Sequence, residues 1–129
     1  MNLPAKVMRL LDDVNFAHIA TVLPDGAPHS VPVWIDREGD RIAVITSPGS
    51  RKARNLVRDP RVALSIIDHG QPYETALVRG RVTEVLEGDA AWPVIDRIAQ
   101  KYTGRPYPTR TGRIVLLIVP EQSRAISFG

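Results

Sequence analysis

The chain has 129 residues, a length that a single hydrophobic core can serve, with 43% apolar and 24% charged residues, close to the averages for globular domains and far from those of disordered chains. Its longest apolar run, Ile114 to Val119, falls well short of the roughly 20 residues that cross a bilayer, and the N-terminal stretch lacks the apolar centre of a signal peptide, so a cytoplasmic address is expected. With no cysteine, disulfides, thiolate metal sites and thiol nucleophiles are excluded, and a redox role has to come from a bound cofactor.

The spacing of Val7, Leu10, Leu11 and Val14 after the start signals Asn2 and Pro4 predicts a short amphipathic helix. Ala17 to Leu23 and Ser30 to Ile35 read as strands of a hairpin, joined through Pro24-Asp25-Gly26, whose residues preset and permit a tight turn. Glu38-Gly39-Asp40 turns the chain into a third strand, Arg41 to Thr46. Pro48-Gly49-Ser50 ends it, and Ala53, Leu56 and Val57 then recur at helical spacing until Asp59-Pro60, with Ser50 as the expected cap.

Val62 to Ile67 returns to strand character, and a longer strand from Thr75 to Val85 carries Gly80, a residue that marks bulges in strand interiors. A second longer helix is expected from Gly88-Asp89 to about Tyr102, then a Pro- and Arg-rich loop from Thr103 to Arg110. Arg113 to Val119 reads as a strand covered on both faces, and Arg124 to Phe128 as a last short one. Without repeats or linkers, residues 1–129 are expected to form one domain, and so many short strands beside three modest helices argue for a barrel.

The net charge of +3 is concentrated: Arg51, Lys52, Arg54, Arg58 and Arg61 against Asp59 leave the remainder slightly acidic. Either a solvated helix face or a site for a compact anion would account for this. Arg51 and Lys52 fall in the first helical turn, where they oppose the helix dipole unless something negative lies beside them, and this favours the anion site. Thr46, Ser47, Gly49 and Ser50 add hydroxyls and a yielding backbone just before that turn. Phosphate-loop, dinucleotide-binding and metalloprotease motifs are missing, His18, His29 and His69 have no ligand spacing, and His29-Ser30 are strand neighbours facing opposite ways, which argues against a hydrolase or a metal enzyme. A nucleic-acid protein is disfavoured by the 5% aromatic content, too little for a stacking platform.

The hairpin Ala20-Thr21-Val22-Leu23-Pro24-Asp25-Gly26-Ala27-Pro28-His29-Ser30-Val31-Pro32-Val33-Trp34 and the block from Arg51-Lys52-Ala53-Arg54-Asn55 to Val62-Ala63-Leu64 resemble the pyridoxamine-phosphate-oxidase-like split-barrel superfamily. Within it the chain is most similar to the flavin/deazaflavin oxidoreductase B group, which includes reductases that use coenzyme F420. The resemblance is strong from Phe16 to Val85 and weaker from Glu87 onward. It implies a six-stranded split barrel, and a homodimer with two cofactor clefts at the interface. It further implies that Ser30, Val31, Pro32 and Val33 line the isoalloxazine or deazaflavin ring, largely through backbone groups. Thr46, Ser47, Ser50, Arg51, Lys52 and Asn55 would hold the ribityl chain and phosphate. Trp34 would serve either ring contact or packing, and Tyr102, Arg105, Tyr107 and Arg110 are candidates for closing the partner's cleft.

Coenzyme F420 is expected before FMN, because its charged tail suits a longer basic groove along Arg51, Lys52, Arg54, Arg58 and Arg105. The activity implied is hydride transfer from reduced deazaflavin to a small unsaturated or electrophilic substrate. FMN-dependent chemistry on the same fold, or cofactor binding without turnover, is the alternative. No catalytic side chain is identified; a proton would come from solvent or a residue such as Tyr73 or Tyr107.

Overall fold

The computed structural model of the chain describes residues 3–128, so Asn2 lies outside the described residues. The elements are α1 (Ala5–Asp12), β1 (Ala17–Val22), β2 (Pro28–Val33), β3 (Ile35–Glu38), β4 (Arg41–Thr46), α2 (Arg51–Arg58), β5 (Arg61–Ile67), β6 (Glu74–Leu86), a single 3₁₀ turn (Gly88–Ala90), α3 (Trp92–Thr103) and β7 (Ile114–Ser127). All strand pairings are antiparallel, in the order β2-β1-β5-β6-β7-β4-β3. The two edge strands follow one another in the chain with only Trp34 between them, so the sheet has to curl until its edges approach. The outcome is the mainly-β split barrel with three helices that the sequence led us to expect, built from seven strands where the resemblance implied six.

The strand boundaries differ from expectation in two places. Ser30 to Ile35 is not one strand: at Trp34 the chain leaves β1 and pairs with β4, which makes β2 and β3 separate edges. The two C-terminal strands fuse into one, β7, because its ladder with β6 absorbs Pro120 opposite Gly80, where the register shifts. A Cβ on Gly80 would lie 2.0 Å from the Val119 carbonyl oxygen, so only glycine permits this approach.

The sheet has a core on each side. Inside the curl, Ile19, Ile35, Ile42, Leu64 and Ile66 pack with Leu3, Val7, Leu10 and Leu11, which bring α1 against the barrel. On the other side, Val94, Ile95 and Ile98 of α3 cover Ala43, Val115 and Leu117. β7 therefore sends Ile114, Leu116 and Ile118 into one core and Val115 and Leu117 into the other, which explains its unbroken apolar run. Burying each such side chain contributes about 1.5–3 kcal/mol relative to exposure. Val14 falls outside the expected helical face, because α1 stops at Asp12 and Asp13 is already extended.

Candidate functional site

The basic segment becomes α2, and the expected cap is in place: the Ser50 hydroxyl accepts from the Ala53 N–H at 3.2 Å. The Thr46 and Ser50 hydroxyls hydrogen-bond at 2.8 Å, which ties the end of β4 to the start of the helix, and the Ser50 N–H donates to the Ser47 carbonyl. No acidic residue occupies the first turn. Among the described residues, Arg51, Lys52 and Arg54 form no ion pair, although ten ion pairs are made elsewhere in the chain. Arg51 and Lys52 are half-buried, and burial holds the Lys52 ammonium below its usual value of 10.5 with no opposing carboxylate. Two half-buried cations at the positive end of a helix make a place where an anion is favoured.

The remaining cations divide. Arg58 donates to the Val22 carbonyl, whereas Arg61 is paired with Asp59 at 2.7 Å and holds that carboxyl down to about 2. Arg54 is exposed. The helical face differs from expectation: Val57 is 89% exposed, and Asn55 takes the buried position, with no exposed surface and its amide donating to the Thr21 hydroxyl at 3.0 Å.

Across the split lies β2. Pro32 has no N–H to give β1, which places its nitrogen on the free edge; by the alternation of an antiparallel ladder, residues 29, 31 and 33 then bond β1, and the Ser30 N–H and C=O are left at the edge. The side chains alternate as well. Val31 and Val33 turn into the barrel core, while Ser30 and Pro32 are exposed on the outer face. A planar ligand along β2 would thus meet backbone groups and small side chains, the kind of contact expected from the sequence. α2 is joined to β1 through the Asn55–Thr21 hydrogen bond, and Thr21 stands opposite His29 of β2, so the helix is linked to the β2 edge through β1.

Ser30 stands opposite Ala20, and Ala20 lines an open groove of about 620 Å³ over β1, β5, β6 and β7. None of the expected site residues lines it. Its floor is apolar (Val22, Val62, Ala63) and its rim carries Arg61, Arg79, Arg81 and Glu121. A second hollow of about 230 Å³ lies by Phe16, His18 and His69, and among the described residues no cluster of three metal-ligating side chains occurs.

The residues expected to reach a partner's cleft are largely engaged at home. Tyr102 stacks on Trp34 with ring centroids 5.0 Å apart, donates to the Asn15 carbonyl and accepts from the Ile35 N–H at 3.2 Å. Tyr107 meets Trp34 edge-on and accepts from Arg113, and Arg110 pairs with Asp96 at 2.6 Å over the Trp92 ring. Arg105 is exposed. Lys101, which sequence reasoning passed over, donates to the Leu11 and Ile35 carbonyls at 2.6 and 2.8 Å and locks α3 to α1 and β3. Tyr73 is exposed on the rim of the sheet.

The family model described as pyridoxamine 5'-phosphate oxidase matches residues 3–127. The chain matches no curated protein. Among solved structures it is similar to an F420 reductase, with 27% identity and a TM-score of 0.83 over 95% of this chain and 98% of the other. A conserved hypothetical protein from Mycobacterium tuberculosis is 25% identical with a TM-score of 0.77, covering 98% and 86%. An FAD-binding protein from Mesorhizobium loti, at 23% identity and a TM-score of 0.69 over 95% and 94%, shares the fold. No helix among the described residues is long and apolar enough to cross a membrane.

Proposed function

The chain belongs to the pyridoxamine 5'-phosphate oxidase family, and on that premise we propose that it is an oxidoreductase that binds coenzyme F420 and reduces a small unsaturated or electrophilic substrate. The observation that carries the reading is the pair Arg51 and Lys52: half-buried, without acidic partners, beside the Ser50 cap, on a helix linked through Thr21 of β1 to the edge strand β2. The residues present fit a flavin-type cofactor. Its phosphate would answer the unbalanced Lys52 charge, held by Ser47, Ser50, Arg51 and Lys52, with Thr46 fixing the Ser50 hydroxyl. Its ring would lie on Ser30, Val31, Pro32 and Val33. The likeness to an F420 reductase over nearly the full length of both chains supports this cofactor.

When bound, reduced F420 supplies the hydride. The chain's own part is to hold and orient. Backbone groups of β2 fix the plane of the ring, and the cationic turn fixes its far end, which converts a bimolecular encounter into an oriented one. The groove of about 620 Å³ adjoining Ser30 is of the size that takes a small substrate, and this favours turnover over storage. A second copy of the chain would cover the outer face, where Phe16, Ile67, Tyr73 and Phe128 are exposed. Light scattering that gives a monomer would remove the shared cleft.

FMN is the second reading. It is favoured by the compactness of the basic site: of the cations of the 51–61 segment, Arg51 and Lys52 are half-buried without an ion pair, enough for one phosphate, while Arg58 is turned to Val22. Titrating the protein with F420 and with FMN, followed by Trp34 and Trp92 fluorescence, separates the two. Tighter binding of F420, and substrate-dependent oxidation of its reduced form, are expected. Binding of neither cofactor would overturn the proposal.

A further inference from the structure

We infer that Asn55 is a positioning residue that sets the anion-binding turn of α2 against the barrel, an inference that rests on the reading of that turn proposed above. The ends of the helix are held by the Ser50 hydroxyl on Thr46 and by Arg58 on the Val22 carbonyl, but its buried middle is small. Of its eight residues only Ala53, Asn55 and Leu56 are buried, and Val57, the other large apolar residue, faces solvent. Two apolar side chains, one of them an alanine, specify the rotation and axial position of a helix poorly, because hydrophobic contact has no direction. The Asn55 amide to the Thr21 hydroxyl does have direction, and both residues are buried.

The link continues to β2. Thr21 stands opposite His29 on β2, and cross-strand partners share a face, so Thr21 lies between the helix and the residue that precedes Ser30. Along the helix, Asn55 is one turn from Arg51 and close to one turn from Lys52, so a rotation about Asn55 would move both cations. The same corner leaves two buried polar atoms without partners, Asn55 Oδ1 and His29 Nδ1. An apolar pair in place of Thr21 and Asn55 would remove the Asn55 share of that penalty, so a polar pair here is better explained by the placement it enforces than by stability. Because Asn55 has no exposed surface, direct contact with a ligand would require it to leave Thr21.

The test uses Thr21→Val, Thr21→Ser, Asn55→Leu and the double variant Thr21→Val/Asn55→Leu in the full chain. Three quantities are read: affinity for F420 and FMN, amide exchange in α2 of the cofactor-free protein, and stability to denaturant. Thr21→Val and Asn55→Leu should each weaken cofactor binding about five- to tenfold, the worth of one neutral hydrogen bond, and the double variant should be no weaker than the worse of these two. Thr21→Ser should bind like wild type. The double variant, which strands no hydrogen-bonding partner, should recover stability while its affinity stays low and α2 exchanges faster. If Thr21→Val binds normally while Asn55→Leu does not, Asn55 touches the ligand and the inference falls. It falls also if affinity returns with stability in the double variant. If wild type binds neither cofactor, or Lys52→Met binds normally, the anion reading fails separately; exchange in α2 still decides, since an unchanged rate in Thr21→Val would overturn the positioning role and a faster rate would support it.

Discussion

Replacing Lys52 by methionine keeps the aliphatic stem that packs at the start of α2 and removes the charge. Two consequences of opposite sign follow. A charge-assisted contact to an anion is worth about 1.5–3 kcal/mol, so affinity for a phosphate-bearing cofactor should fall by about 10- to 150-fold. The cofactor-free protein should not suffer. Its lysine is half-buried, meets no carboxylate among the described residues and opposes the helix dipole, an unfavourable arrangement of about 0.3–1 kcal/mol whose relief would raise the midpoint of thermal unfolding by about 1–5 °C. The ammonium is partly open to solvent, which places the gain at the lower end of that range. Fluorescence titration with F420 and FMN measures the first effect, and calorimetry of the cofactor-free protein the second. Affinity within about twofold of wild type would refute the anion site, and a midpoint lowered together with affinity would show that Lys52 stabilises the fold instead.

The same lysine predicts a pH dependence. Because burial lowers its pKa below 10.5, it loses its proton earlier than an ordinary lysine as pH rises, so cofactor affinity measured upward from pH 7 should decline before that value, and Lys52→Arg should flatten the decline. In the cofactor-free protein the unfolded chain holds this proton more tightly, so the contribution of Lys52 to stability should improve with pH between its lowered pKa and 10.5. Gly80→Ala should destabilise by 3 kcal/mol or more by the order-of-magnitude cost of severe overpacking, measured by denaturant unfolding, because its Cβ would meet backbone atoms of Val119 rather than a side chain that could turn away. Tyr102→Phe leaves the Ile35 N–H and the Asn15 carbonyl without the phenol and should cost about 2 kcal/mol in the same assay, with cofactor affinity little changed.

The features legible in the sequence were those set by neighbours in the chain. Pro24-Asp25-Gly26, the Ser50 cap and the Gly80 irregularity each carry their own backbone chemistry, and each is found where it was read. Ala53 and Leu56 are buried as their spacing predicts, but the exchange of Val57 for Asn55 on that face could not be read that way. Ala53, Leu56 and Val57 satisfy helical spacing, but Asn55 is drawn inward by Thr21, a partner 34 residues away. The break at Trp34 depends on two strands competing for β2 and β3, and the fused β7 depends on β6 lying beside it. Tyr102 and Arg110 looked available in sequence because their in-chain partners, Trp34 for the first and Asp96 and Trp92 for the second, meet them only on folding.

The place of β7 also bears on the order in which the molecule can be made. It is the last strand in the chain, yet in the sheet it stands between β6 and β4. A ribosome that has released residues up to Gly112 has exposed two separate ribbons, β2-β1-β5-β6 and β4-β3, joined by Trp34 but sharing no ladder. Both ribbons then present an open edge to other nascent chains, and neither core is closed. The barrel can therefore be closed only after residues 114–127 have been synthesised, and the two ribbons must be kept from other partners until then.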